Sequence, residues 1–223
     1  MKAYLLTFAL VLAGCAGTTS EEAPAADTVP AAAPAAAASS APLNANLSGE
    51  EALAASEQIS AELAAAIVAG RPYASALDLE AIVAANAPDA DRVELYAAVW
   101  VPLNLNTASG EEILLTPGIG SRMVREFQEY RPYVGMAQFK REMGKYVDEA
   151  EVERMSRYVY VPIDLNTATA EEILAVPGVG DRMKHEFEEY RPYVSMDQFR
   201  REMGKYVDDD EVARLARYVE IRN

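Results

Sequence analysis

The residues best placed to do chemistry in this sequence are two pentapeptides, Thr116-Pro117-Gly118-Ile119-Gly120 and Val176-Pro177-Gly178-Val179-Gly180, set sixty positions apart. In each, two glycines flank one apolar residue and a helical pattern follows. Glycine removes the side chain that would hold a ligand away from the backbone. The first amides of the next helix lack an intrahelical acceptor, and the helix dipole favours negative charge beside them. The chemistry on offer is anion binding by main-chain N–H groups. Ser121, Arg122 and Arg125 follow the first tip; Asp181, Arg182 and Lys184 follow the second.

No other constellation competes. His185 is the only histidine; it is expected on the outward side of a helix, between Lys184 and Glu186. The run Asp208-Asp209-Asp210-Glu211 is expected to open a helix, where the dipole stabilises acids, rather than to hold a cation. There is no Cys/His metal cluster and no nucleophile–base pair. The chain reads as a non-enzyme with no cofactor and no metal.

Charge sets a limit on partners. With 20 basic and 35 acidic residues in 223, the net charge is -15, so polyanions are repelled at long range. The charge is unevenly spread. Residues 1–100 hold 3 basic and 12 acidic side chains, residues 101–160 hold 8 and 9, and residues 161–223 hold 9 and 14. The middle segment is nearly neutral, which makes its tip the better anion site, with Lys140, Arg141 and Lys145 also in reach.

The single cysteine, Cys15, excludes an internal disulfide. Lys2 and the short apolar run from Tyr4 to Leu12 have the layout of a secretory signal, too short to span a bilayer. Leu12-Ala13-Gly14-Cys15 resembles the bacterial lipobox. The resemblance implies cleavage before Cys15, lipidation of Cys15, and, with Ala16 next, the periplasmic face of an outer membrane. Several acyl chains make such anchoring stable. Residues 15–41 are an Ala/Pro-rich, low-complexity stretch that cannot build a core. It is expected to be a disordered linker reaching at most ~80 Å, at roughly 3.1 Å per residue.

From residue 42 onward the chain repeats with a period of 60. Arg71-Pro72-Tyr73, Arg131-Pro132-Tyr133 and Arg191-Pro192-Tyr193 mark it, as do Asn46, Asn106 and Asn166. Residues 101–160 and 161–220 are identical at 40 of 60 positions, so duplication is certain. The expected organisation is a signal peptide over 1–14, the linker over 15–41, a degenerate repeat over 42–100, and two full repeats over 101–160 and 161–223.

Four short helices are expected in each repeat. Ser109-Gly110-Glu111-Glu112 and Thr169-Ala170-Glu171-Glu172 read as capping boxes, as does Ser48-Gly49-Glu50-Glu51. Pro117 and Pro177 stop the first helix. Met123 and Phe127, or Met183 and Phe187, share one face of the second. Ser195 caps a third, which Gly204 ends, and Asp148 or Asp208 caps a fourth. No stretch alternates as a strand does, so the fold is expected to be all-α. The Arg-Pro-Tyr corners are expected to pack tyrosine with its hydroxyl at the surface and to pair arginine with a nearby acid. Trp100 is expected to seal the first junction.

The order Leu105-Asn106-Thr107-Ala108, capped helix, Pro-Gly-Ile-Gly, second helix resembles the helix-hairpin-helix domain of the ComEA type, the DNA receptor of competent bacteria. Leu165-Asn166-Thr167-Ala168 with Pro177-Gly178-Val179-Gly180 matches equally. The resemblance covers roughly 102–220, and in decayed form 42–100. It implies tandem helix-hairpin-helix repeats, SAM/RuvA-domain-2-like helical units, and sequence-independent binding of double-stranded DNA in uptake or retention. The residues it carries over are Gly118, Ile119, Gly120, Ser121, Arg122, Arg125 and Lys145, with Gly178, Val179, Gly180, Arg182 and Lys184. The family's second tip is replaced here by Met143-Gly144-Lys145-Tyr146 and Met203-Gly204-Lys205-Tyr206. The first repeat has Gln58-Ile59-Ser60 at its tip and reads as structural. A small lumenal subunit of photosystem II has a similar domain that works by protein contact. The alternative is therefore a periplasmic scaffold that binds a protein partner in the cell envelope, without DNA.

Overall fold

A computed structural model describes residues 41–222. The signal segment, Cys15 and all but the last residue of the linker lie outside the described residues. Helices make up about half of the described residues, which run through one pattern of elements three times. The first repeat comprises β1 (Leu43–Asn44), α1 (Glu50–Ala54), α2 (Ala61–Ala69), α3 (Ala76–Asn86), α4 (Arg92–Ala98) and β2 (Val99–Trp100). The second comprises β3 (Leu103–Asn104), α5 (Gly110–Leu115), α6 (Ser121–Glu129), α7 (Met136–Met143), α8 (Glu149–Ser156) and β4 (Val159–Tyr160). The third comprises β5 (Ile163–Asp164), α9 (Ala170–Leu174), α10 (Asp181–Glu189), α11 (Met196–Met203), α12 (Asp209–Ala216) and β6 (Val219–Glu220). Among the described residues no helix is long and apolar enough to cross a membrane.

Each repeat closes on itself. Its first and last strands pair in parallel, Leu43 with Val99, Leu103 with Val159 and Ile163 with Val219. Two residues are too few to leave a period-two pattern, which is why the sequence showed no strand. The all-α reading stands with this small addition.

The helix starts mostly follow the sequence. Ser109 and Thr169 form capping boxes with Glu112 and Glu172, Ser195 accepts from the Gln198 amide, and Asp148 and Asp208 accept from the Glu151 and Glu211 amides. The expected box at Ser48 is not formed: α1 begins at Gly49 without a side-chain cap. The repeat register explains this, because Gly49, not Ser48, stands where Ser109 and Thr169 do. Ser48 instead offers its carbonyl to Arg71.

That contact belongs to a lock present in all three repeats. Arg131 Nε donates to the Leu105 carbonyl at 2.5 Å and its Nη2 to the Ala108 carbonyl at 2.6 Å. The Asn106 side chain brackets the corner, accepting from the Tyr133 amide at 2.7 Å and donating to the Tyr133 carbonyl at 2.9 Å. Arg191 with Leu165 and Ala168, and Asn166 with Tyr193, repeat it; Arg71, Ala45, Asn46 and Tyr73 form the first copy. The arginines thus serve backbone carbonyls rather than acids. The tyrosines are also turned inward, with Tyr73, Tyr133 and Tyr193 at most 2% exposed. Tyr73 Oη donates to the Ile67 carbonyl at 2.7 Å.

Inside the second repeat Phe127 and Phe139 pack edge to face at 5.1 Å, and Phe187 and Phe199 do the same in the third at 5.2 Å. The buried apolar residues of the first two repeats form one continuous core, whereas the third repeat has its own. Trp100 seals the first junction as expected, donating Nε1–H to the Tyr158 carbonyl at 2.9 Å and packing on the Tyr158 ring. The second junction uses Tyr160, equivalent to Trp100, which packs on Tyr218 at 4.3 Å and donates to the Arg217 carbonyl. Burial pushes the Tyr160 phenol up to about 12, so it stays neutral at any physiological pH.

Asn106→Ala removes two hydrogen bonds at once and leaves the Tyr133 amide unpaired. The expected cost is about 2–3 kcal/mol, read as a fall in the urea midpoint with the slope of the transition unchanged.

Candidate anion-binding tips

The apolar residue at each tip is an anchor, not a contact for solvent. Ile119 and Val179 are each 8% exposed and belong to the cores below. They pull the turn down so that the glycines on either side lie at the surface. The two glycines then have different reasons to be there.

Gly118 and Gly178 are required from within. Their φ values, +76° and +82°, lie in the left-handed region that side chains disfavour. A Cβ at either would also stand 2.8 Å from an arginine Nη2, that of Arg154 or Arg214. Arg154 donates through Nη1 to the Pro117 carbonyl, and through Nε and Nη2 to Glu151 at 2.7 and 2.6 Å. Arg214 repeats this with the Pro177 carbonyl at 2.6 Å and with Glu211. The hydrogen bonds to Glu151 raise the Arg154 pKa further above its ordinary value. The first repeat has Gln58 in place of the glycine and Glu94 in place of the arginine. Glycine and arginine are kept together or lost together among the three copies. The sequence did not single out these two arginines; their shared spacing from the tips was the available signal.

Gly120 and Gly180 are not required from within. Their backbones are extended (φ -102° and -105°), which any residue adopts, and a Cβ at either would meet nothing within 4 Å. They are the N-caps of α6 and α10, and no side chain caps either helix. The first repeat shows the alternative. There Ser60 holds the equivalent place and its hydroxyl accepts from the Leu63 amide at 3.2 Å. Where the tip has decayed, the helix is capped from inside; where the tip is intact, no side chain caps it.

The surrounding cations sort into two groups. Arg122, Arg125 and Arg182 are exposed and make no ion pair among the described residues. Ser121 is the exposed first residue of α6, and Asp181 holds that place in α10. The other cations are already committed. Lys145 is hydrogen-bonded to Glu142 and lies over the Tyr130 ring at 4.9 Å, and Lys184 pairs with Glu188 at 3.4 Å. The carboxylate of Glu142 raises the Lys145 pKa, and Lys145 lowers that of Glu142. Lys140 pairs with Glu153 and Arg141 with Glu142. The structure therefore brings Gly118, Ile119, Gly120, Ser121 and Arg122 together at one tip with Arg125 one turn further along α6. It places Lys145 in an ion pair of its own.

The replaced second tips are filled. Tyr146 Oη and Tyr130 Oη are 2.8 Å apart, as are Tyr206 and Tyr190. A Cβ at Gly144 would lie 3.2 Å from the Lys140 carbonyl, so this glycine fits the tight C-terminal turn of α7 that it caps. His185 lies outward, its side chain 70% exposed and 3.6 Å from Glu189. Among the described residues no group of three or more His, Cys, Asp or Glu is placed to hold a metal ion.

One polar atom near the second-repeat tip is stranded. Thr116 is 2% exposed and its hydroxyl has no partner, whereas the third repeat carries Val176 at this position. Thr116→Val keeps the shape and removes the orphan, so it is expected to stabilise the chain by about 1 kcal/mol, measured as a rise in the denaturant midpoint. No family model, characterised protein or solved structure matches this chain, so the reading of the tips rests on their own geometry.

Proposed function

We propose that this chain is a membrane-anchored helix-hairpin-helix protein, ComEA-like in its second and third repeats, that holds double-stranded DNA without reading its sequence. The observation that carries this reading is Gly120: a glycine that neither backbone angle nor packing demands, opening an uncapped nine-residue helix onto free space. A phosphate oxygen fits what is missing there, an acceptor for the first amides of α6. Arg122 and Arg125 stand beside it without an ion-pair partner. Such contacts fix position on the duplex and carry no base information. No step of catalysis is assigned. The lipid on Cys15 and the linker after it would hold the repeats at the periplasmic face of an outer membrane, in a role such as uptake or retention of DNA.

Binding of this kind is weak and modestly salt-dependent. Two free arginines at one tip give a slope of log affinity against log salt of about -2, at roughly -0.9 per phosphate neutralised. A strongly basic binder would show several times that. The first repeat and linker, which carry most of the net negative charge, oppose approach from their side.

A second reading, a scaffold for an envelope protein, is favoured by one contact. Leu47 of the first repeat reaches the tip at Gly178, its Cδ1 3.4 Å from where a Cβ there would stand. A tip of this shape is thus able to receive a protein side chain.

Gly120→Asp separates the two effects of the tip. Aspartate is a good N-cap and suits the extended backbone of Gly120, so helix α6 gains a few tenths of a kcal/mol. The same carboxylate fills the phosphate place with negative charge. The expected outcome is an unchanged or raised melting temperature together with at least a tenfold loss of duplex DNA binding at low salt. Wild-type chain that shows no mobility shift with DNA at low salt would exclude the DNA reading and leave the scaffold.

A further inference from the structure

We infer that the third tip is a docking surface whose occupant is the Asn46–Leu47 loop of the first repeat, so that the two glycine tips have diverged in partner. This goes beyond the DNA reading and does not depend on it. Five observations converge. Leu47 Cδ1 lies 3.4 Å from where a Cβ on Gly178 would stand, while the three nearest atoms to the same point at Gly118 all belong to Arg154 of its own repeat. Leu47 replaces a threonine found at the equivalent positions, Thr107 and Thr167, so the apolar side chain is particular to the repeat that makes the contact. Arg217 of the third repeat donates to the Tyr73 carbonyl of the first, across 144 residues of chain. Between the two repeats lies a cavity of ≈ 220 Å³ with Asn46, Arg71 and Pro72 on one side and Asp208, Asp210 and Arg214 on the other. Finally, the Arg214 side chain is 6% exposed where its twin Arg154 is 20% exposed.

The sequence at the third tip agrees with this division. Asp181 opens α10 where Ser121 opens α6. A carboxylate there adds negative charge at the positive end of the helix, without capping its amides. The first repeat, in turn, has lost its own glycine tip at Gln58-Ile59-Ser60 and supplies a ligand instead. The contact is small and largely polar, and the third repeat does not share the core of the other two. Docking, together with the Tyr160–Tyr218 junction and the bond from Arg222 Nη1 to the Val134 carbonyl at 2.8 Å, is what couples its unfolding to theirs.

Thermal unfolding of the full chain tests this with two signals. Fluorescence of Trp100, the only tryptophan, follows the junction of the first two repeats; circular dichroism follows all the helices. In the wild type the two midpoints coincide. In Leu47→Thr/Arg217→Ala, which restores threonine and removes the arginine bond, the third repeat melts first, and the dichroism midpoint falls about 5 °C or more below the tryptophan midpoint. Midpoints that already differ in the wild type, or that still coincide in the variant, overturn the docking. A second measurement needs no variant: with methyl-labelled leucine, Leu47 shows a nuclear Overhauser contact to the Gly178 α-protons. Its absence also overturns the proposal.

Discussion

Everything in this fold hangs from an arginine that serves two main-chain carbonyls. In the second repeat Arg131 holds Leu105 and Ala108, while Asn106 holds both polar groups of the Tyr133 backbone. The two segments so joined are the entry to the first helix and the corner between the second and third. Once they are fixed to each other, α5 and α6 have defined ends, and the tip between them is the only place the chain can turn. A guanidinium suits this task because its donors form a fixed fork and its charge is kept. Burial lowers the Arg131 pKa, and the carbonyls it binds would otherwise be loose ends in a loop. The lock is found even in the first repeat, where the tip itself has gone. Scaffold and tip are therefore separable, and the tip was free to change.

That separation accounts for what could be read from the sequence. The period, the caps and the glycine tips are local features: a serine three residues before a glutamate, or a glycine beside a proline, carries its meaning within a few positions. The lock joins residues 26 and 27 apart, and the closing strands join residues 56 apart. Arg-Pro-Tyr and Leu-Asn-Thr-Ala were both visible as repeated words, but nothing local says that one is the acceptor set of the other. Local pattern accordingly points the arginine to an acid and the tyrosine hydroxyl to the surface, whereas the arginine serves carbonyls and the tyrosine is turned inward. The pattern at Ser48 misleads for a simpler reason. A capping pattern of four residues fits a shifted register as readily as the true one, and only alignment of the three repeats distinguishes them.

Lys145 and Lys184 illustrate a different limit. Counting basic residues near a tip treats each as available, but a lysine three or four residues from a glutamate on a helix has a partner already. Spacing alone does not decide this: Arg122 and Arg125 also stand four residues before Glu126 and Glu129, yet neither forms an ion pair among the described residues. The useful charge of the second repeat is thus far smaller than its eight basic residues, and a weak, short-range contact is all that the geometry supports. An acidic chain is not thereby excluded from binding DNA. Repulsion acts over the Debye length, about 10 Å at 0.1 M salt, whereas a phosphate seated on helix amides is held at hydrogen-bond distance.

The three tips can be placed on one line of change. The second retains glycine at both positions, a serine at the helix start and unpaired arginines beside it. The third retains both glycines but has Asp181 at the helix start and Leu47 against Gly178. The first has neither glycine nor the arginine beneath, and the Ser60 side chain caps its second helix. Only the first repeat supplies an acceptor from inside the chain; α10 in the third still has no side-chain cap, and what has changed there is the charge at its start and an apolar neighbour. A helix start must have its amides satisfied by something, and water meets that need poorly compared with a fixed acceptor. Internal capping adds stability but closes the site. Gly120, like Gly180, is a position where the chain has forgone that stability, and the anion proposed for the second tip would restore it from outside.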